Sequence, residues 1–117
     1  ELFKGIIEEL EAFDTTLAGG DTNAWDGPLV ISVTAIGSVS PWDCWRRNTA
    51  KPGDLLVVTG PLGGSLLGRH LNVTPRCHEA LAIASKFQVH AAIDISDGLA
   101  IDCSRLMSAS QTGAIID

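Results

Sequence analysis

The chain has 117 residues, 45% of them apolar and 19% charged. This globular composition excludes disorder, collagen and low-complexity repeats, and the length holds one ordinary domain or two partial ones. Fourteen acidic against eight basic residues leave a net charge of −6, which repels phosphate backbones and argues against nucleic acid as a partner unless a metal intervenes.

Leu2, Phe3, Ile6, Ile7, Leu10, Phe13 and Leu17 recur at three- and four-residue steps, opposite Lys4, Glu8, Glu9 and Glu11. The spacing predicts an amphipathic helix over 2–17, ended by Gly19-Gly20, with a loop running to Pro28. Residues 29–39 alternate β-branched and apolar side chains and predict a strand. Pro41 and Pro52-Gly53 punctuate the polar stretch that follows, which is the best candidate for a domain boundary. Residues 54–59 predict a short buried strand. After the Gly60-Pro61 turn, 62–71 and about 76–87 predict helices, and 91–95 form a short apolar run. Ser96 as N-cap and Asp97 in the first turn predict a further helix burying Leu99, Cys103, Leu106 and Met107, ended by Gly113. The last residues predict the start of another strand. The order is mixed α/β. The opening at Glu1 and the strand-like ending suggest a piece of a longer protein.

No apolar stretch is long enough to span a bilayer, and no signal-peptide pattern opens the chain. Cys44, Cys77 and Cys103 lack CxxC spacing and read as reduced residues, mostly small core hydrophobes, of a cytoplasmic protein.

Two short segments combine glycine, aspartate and a hydroxyl residue. In Gly19-Gly20-Asp21-Thr22 the glycines allow close backbone approach to a ligand, and Asp21 is suited to Mg²⁺. The plainer alternative is a glycine helix end followed by an Asx turn. In Asp94-Ile95-Ser96-Asp97-Gly98-Leu99, the two carboxylates are three residues apart at a helix entry, so both can face one side. First-turn amides would favour a phosphate beside a cation held by the aspartates. The plainer alternative is Ser96 capping the helix while Asp97 complements its dipole, which gives Asp94 and Gly98 no role.

Other candidates are weaker. Gly60-Pro61-Leu62-Gly63-Gly64-Ser65 lacks the lysine of a P-loop and reads as a tight strand-to-helix turn. His70, His78 and His90 lack paired metal spacing. There is no GxSxG elbow. Arg46-Arg47 could meet a nucleotide phosphate, or be an exposed linker pair.

Gly19 to Thr22, Pro28 to Gly37, Ala50 to Asp54, Val58-Thr59-Gly60 and Asp94 to Leu99 together resemble the thiamine-monophosphate kinases in order and spacing, over nearly the whole chain. That family belongs to a superfamily with aminoimidazole ribonucleotide synthase, selenophosphate synthetase and the hydrogenase-maturation carbamoyl dehydratase. The Asp-Ile-Ser-Asp-Gly-Leu segment is its most discriminating part. The resemblance implies a two-domain α/β fold of the aminoimidazole ribonucleotide synthase type. Residues 1–50 would then end the N-terminal domain and 51–117 open the C-terminal one. It implies phosphoryl transfer from ATP to thiamine phosphate, giving thiamine diphosphate, with Mg²⁺ and without a protein nucleophile. It also implies a homodimer paired through the N-terminal sheet. Gly20, Asp21 and Ser96 match nucleotide contacts, with Arg46 or Arg47 as weaker candidates, and Asp21, Asp94 and Asp97 match metal ligands. A family arginine that touches ATP is replaced here by Asp43. The alternatives are a sister ATP-dependent synthetase and a non-catalytic ATP-binding or dimerising remnant.

Overall fold

Helix α1 spans Leu2–Ala12, α2 spans Cys77–Ala84 and α3 spans Leu99–Ser110 in the computed structural model, which describes residues 1–41 and 44–116. Contacts divide the chain into two units, Glu1–Gly37 and Ser38–Asp117. Asp43 and Asp117, which carry one family comparison and the end of the last expected strand, lie outside the described residues.

In the first unit α1 forms where the apolar spacing predicts it, with Ile6, Leu10 and Phe13 half-buried and Leu2, Phe3 and Ile7 exposed. It ends earlier than the expected 2–17. Asp14 turns left-handed at φ 50, Asp14 N donates to Glu11 O, and Thr15 N donates to Leu10 O at 2.9 Å. This Schellman closure satisfies the last carbonyls five residues before Gly19-Gly20, so the glycine pair does not end the helix.

The second unit gathers around α3. Cys103 and Leu106 are its buried apolar residues and Leu99 and Met107 are half-buried, the face that the periodicity predicts. Gln111, left-handed at φ 53, ends α3, with Thr112 N donating to Met107 O at 3.0 Å. Gly113 therefore lies beyond the cap. The segment 46–54 is tied to the rest of this unit by long-range bonds. Arg46 and Ala91 form a parallel bridge, Ala92 N donates to Arg46 O at 3.0 Å, and Ser110 Oγ accepts from Ala50 N and donates to Arg47 O.

The expected strands are the main correction. Among the described residues no strand forms over 29–39, 54–59, 91–95 or the chain's end, and that one bridge is the whole of the β pairing. A strand satisfies its N–H and C=O groups only on a neighbour. Among the described residues no segment lines up as that neighbour. Leu29, Val33, Ile36 and Leu55 are each at least 82% exposed as a result. The chain exposes 10287 Å², against about 6,100 Å² for a folded monomer of this mass. Cys44 and Cys77 are also exposed, so only Cys103 is a core cysteine.

The expected helix over 62–71 is two 3-10 turns, Ser65–Leu67 and Arg69–Leu71. Gly64 and Gly68, at φ 79 and 95, interrupt it with a left-handed conformation that glycine adopts without strain. Arg69 Nη1 donates to Gly63 O and His70 Nδ1 lies 2.7 Å from Ser65 O, so this glycine loop closes on itself. No described helix is long and apolar enough to cross a membrane.

Candidate functional site

The helix entry at 94–99 differs from the expected cap. α3 begins at Leu99 with Gly98 as its N-cap, and Ser96 makes no cap bond. Gly98 has φ 108 and ψ 154, a region open essentially only to glycine. That conformation gives Gly98 a structural reason: it turns the chain from the loop into the helix.

The organising group is Asp102, a residue the pattern reading passed over. It is 2% exposed. Its Oδ2 accepts the backbone N–H groups of Ser96 and Asp97, each at 2.9 Å. Its Oδ1 accepts from Arg105 Nη1 at 2.9 Å, and the same Nη1 donates to Asp97 Oδ2. The Asp97 N–H holds the Asp102 carboxyl below its usual range; burial opposes this, while the Ser96 N–H and the Arg105 guanidinium reinforce it. The Ser96 and Asp97 amides are therefore spent on Asp102. What the loop offers instead is side-chain oxygen.

Asp94 and Asp97 are both exposed. Asp94 Oδ2 accepts the Ser96 hydroxyl, so these two expected site residues are joined directly. Asp97 is tied through Arg105. Among the described residues neither Asp94 Oδ1 nor Asp97 Oδ1 accepts a hydrogen bond. No group of three His, Cys, Asp or Glu side chains able to hold a metal ion occurs among the described residues. Two hard carboxylates are nonetheless the number that Mg²⁺ commonly takes from protein when substrate phosphates and water complete its shell. The donor set fits that ion.

In the first unit Asp21 Oδ1 accepts Thr22 N at 2.8 Å, and a side chain added at Gly20 would meet nothing within 4 Å. Asp21 lies in an exposed loop. Arg46 and Arg47 are exposed, and their backbone carbonyls carry the long-range bonds described above.

A second polar group escaped the sequence reading. His90 Nδ1 lies 2.8 Å from Asp54 Oδ1, and His90 Nε2 lies 3.3 Å from Lys51 Nζ. The Thr49 hydroxyl donates to His90 O. A carboxylate only accepts, so the proton of the His90–Asp54 bond is on Nδ1. Histidine spacing could not have found this group, because its partners are thirty-six and thirty-nine residues away. Asp102 left a weak trace, an Asp-x-x-Arg ion-pair spacing within α3.

The sequence is 45% identical over 117 residues to a thiamine-monophosphate kinase of Rhodopirellula baltica, covering 100% of this chain and 36% of that protein. It is 34% identical to the thiamine-monophosphate kinase of Caulobacter vibrioides, covering 97% of this chain and 37% of that protein. It is 33% identical to that of Escherichia coli K12, covering 96% of this chain and 40% of that protein. No protein-family model and no solved structure matches the chain. From end to end, then, the chain is homologous to the thiamine-monophosphate kinases. It spans well under half the length of these relatives.

Proposed function

We propose that this chain is the middle portion of an ATP-dependent kinase that phosphorylates thiamine phosphate to thiamine diphosphate. The observation that carries the reading is the end-to-end match with thiamine-monophosphate kinases at 45% identity. The bonded Asp94–Ser96 pair and the nearby Asp97, paired with Arg105, supply carboxylate oxygens of the right chemistry for a cation.

In this reading Asp94 and Asp97 hold Mg²⁺, and Asp21 is a separate candidate ligand. The ion neutralises phosphate charge, which is most of what phosphoryl transfer requires. Ser96 orients Asp94 by donating its hydroxyl proton. Gly20 and, more weakly, Arg46 and Arg47 are candidate nucleotide contacts. No side chain of this chain needs to act as a nucleophile.

The family's mixed α/β architecture belongs to the same proposal, with residues 1–50 completing an N-terminal domain and 51–117 beginning a C-terminal one. Neighbouring strands, from the rest of the domain and from a second copy, would cover the exposed alternating segment 29–39. A cytoplasmic location goes with this chemistry, since ATP and thiamine phosphate are cytoplasmic solutes.

The test is conversion of thiamine phosphate to thiamine diphosphate with ATP and Mg²⁺ by the full-length protein that carries this chain. Stoichiometric ADP and thiamine diphosphate are expected. Phosphorylation of a different small molecule in place of thiamine phosphate would favour a sister synthetase. ATP binding without turnover would favour a remnant.

A further inference from the structure

Resting on that reading, we infer that Asp102, working through Arg105, is a positioning residue that sets the Asp97 carboxylate for the metal–nucleotide complex. Asp102 does not reach the outside of the loop. It is 2% exposed, whereas Asp94, Ser96 and Asp97 are exposed. Yet its Oδ2 is committed to the loop that presents them and its Oδ1 to Arg105 of α3.

Oδ2 takes the N–H groups of two consecutive residues, Ser96 and Asp97, at the same 2.9 Å. Two bonds to adjacent amides fix the peptide plane between them, and so the direction in which Cβ of Asp97 leaves the backbone. Oδ1 holds Arg105 Nη1, which in turn holds Asp97 Oδ2. One carboxylate thus sets the backbone of Asp97 directly and its side chain through a guanidinium. Asp97 Oδ1 is left for a ligand. Partners of this outer kind typically change metal affinity by about 10–100-fold when removed.

A purely structural role for Asp102 makes a different forecast. A helix-entry brace would lower stability and affect Asp94 and Asp97 alike. A positioning role acts chiefly through Asp97, held both at its backbone and through Arg105, so most of its effect disappears once Asp97 cannot ligate. The two are separated by a double-mutant cycle.

The experiment measures binding of Mn²⁺ with ATP, read by the electron paramagnetic resonance of free Mn²⁺. It uses the full-length protein without thiamine phosphate. Asp102→Asn keeps an oxygen for the two amides but turns an amide donor toward Arg105. About tenfold weaker Mn²⁺–ATP binding is expected for it, with little further loss when it is added to Asp97→Asn. Arg105→Met, at a half-exposed guanidinium, serves if Asp102→Asn does not fold, and the same non-additive loss is expected. Unchanged binding, tighter binding, or a loss that simply adds to that of Asp97→Asn overturns the inference. If the unsubstituted protein binds no Mn²⁺–ATP, the proposed function itself fails, which is a distinguishable result.

Discussion

His90 Nδ1 meets Asp54 Oδ1 at 2.8 Å across thirty-six residues of sequence, joining the 46–54 segment to the stretch just before the candidate site loop. The Lys51 N–H and His90 together hold the Asp54 carboxyl below its usual range. A carboxyl lowered in the folded state stabilises the fold above its unfolded pKa, and that contribution is lost as pH falls through the folded value. Asp54→Asn keeps an acceptor for Lys51 N while removing the charge. Urea unfolding of both proteins should show a stability gap at about pH 5 that closes as pH falls below about 4. A gap unchanged at pH 3 contradicts this account of the pair.

Gly98 offers a cleaner backbone test. A Cβ there would meet nothing within 4 Å, so only the conformation at φ 108 opposes it. Gly98→Ala should destabilise the unit by about 1–3 kcal/mol. A urea midpoint equal to that of the unsubstituted protein would show that the entry to α3 is not held in this conformation.

The opposite sign is expected at Gln111, which is left-handed and exposed at the end of α3. Gln111→Gly should stabilise by about 0.5–1 kcal/mol, since glycine adopts this region without a Cβ penalty. The urea midpoint reads it directly.

The alternating segment leaves Leu29, Val33 and Ile36 exposed with no ladder partner among the described residues. In the full-length protein it should be covered by a second copy, as the proposed architecture requires. Sedimentation equilibrium should then give a dimer, and Val33→Lys should shift the protein toward monomer. A strict monomer at high concentration contradicts this part of the proposal.

What the sequence made legible follows the range of each signal. The apolar stripe of α3 needs only residues within one helix, and Leu99, Cys103, Leu106 and Met107 lie where periodicity places them. The start of α1 was equally plain. Its end was not, because Asp14 adopted a left-handed cap that glycine statistics assign to Gly19 or Gly20. The alternation over 29–39 and the Leu55–Val58 run state a capacity to pair, not the presence of a partner, so neither became a strand here. At the candidate site, spacing singles out Asp94, Ser96 and Asp97, and the structure adds a hydrogen bond between Asp94 and Ser96 that spacing does not show. Asp102 was missed because Ser96 and Asp97 already looked like a complete cap. A buried carboxylate reaching back from inside the helix carries no comparable local mark.

The central claim is that Asp97 holds a metal ion for phosphoryl transfer rather than merely pairing with Arg105. Asp97→Asn keeps an oxygen for Arg105 and removes one charge. Turnover of thiamine phosphate by the full-length protein should fall by at least about 100-fold, since a direct ligand should matter at least as much as its outer partners. Its Tm should stay close to that of the unsubstituted protein. Near-normal turnover with a lowered Tm would contradict the account, leaving Asp97 as a surface ion-pair partner of Arg105.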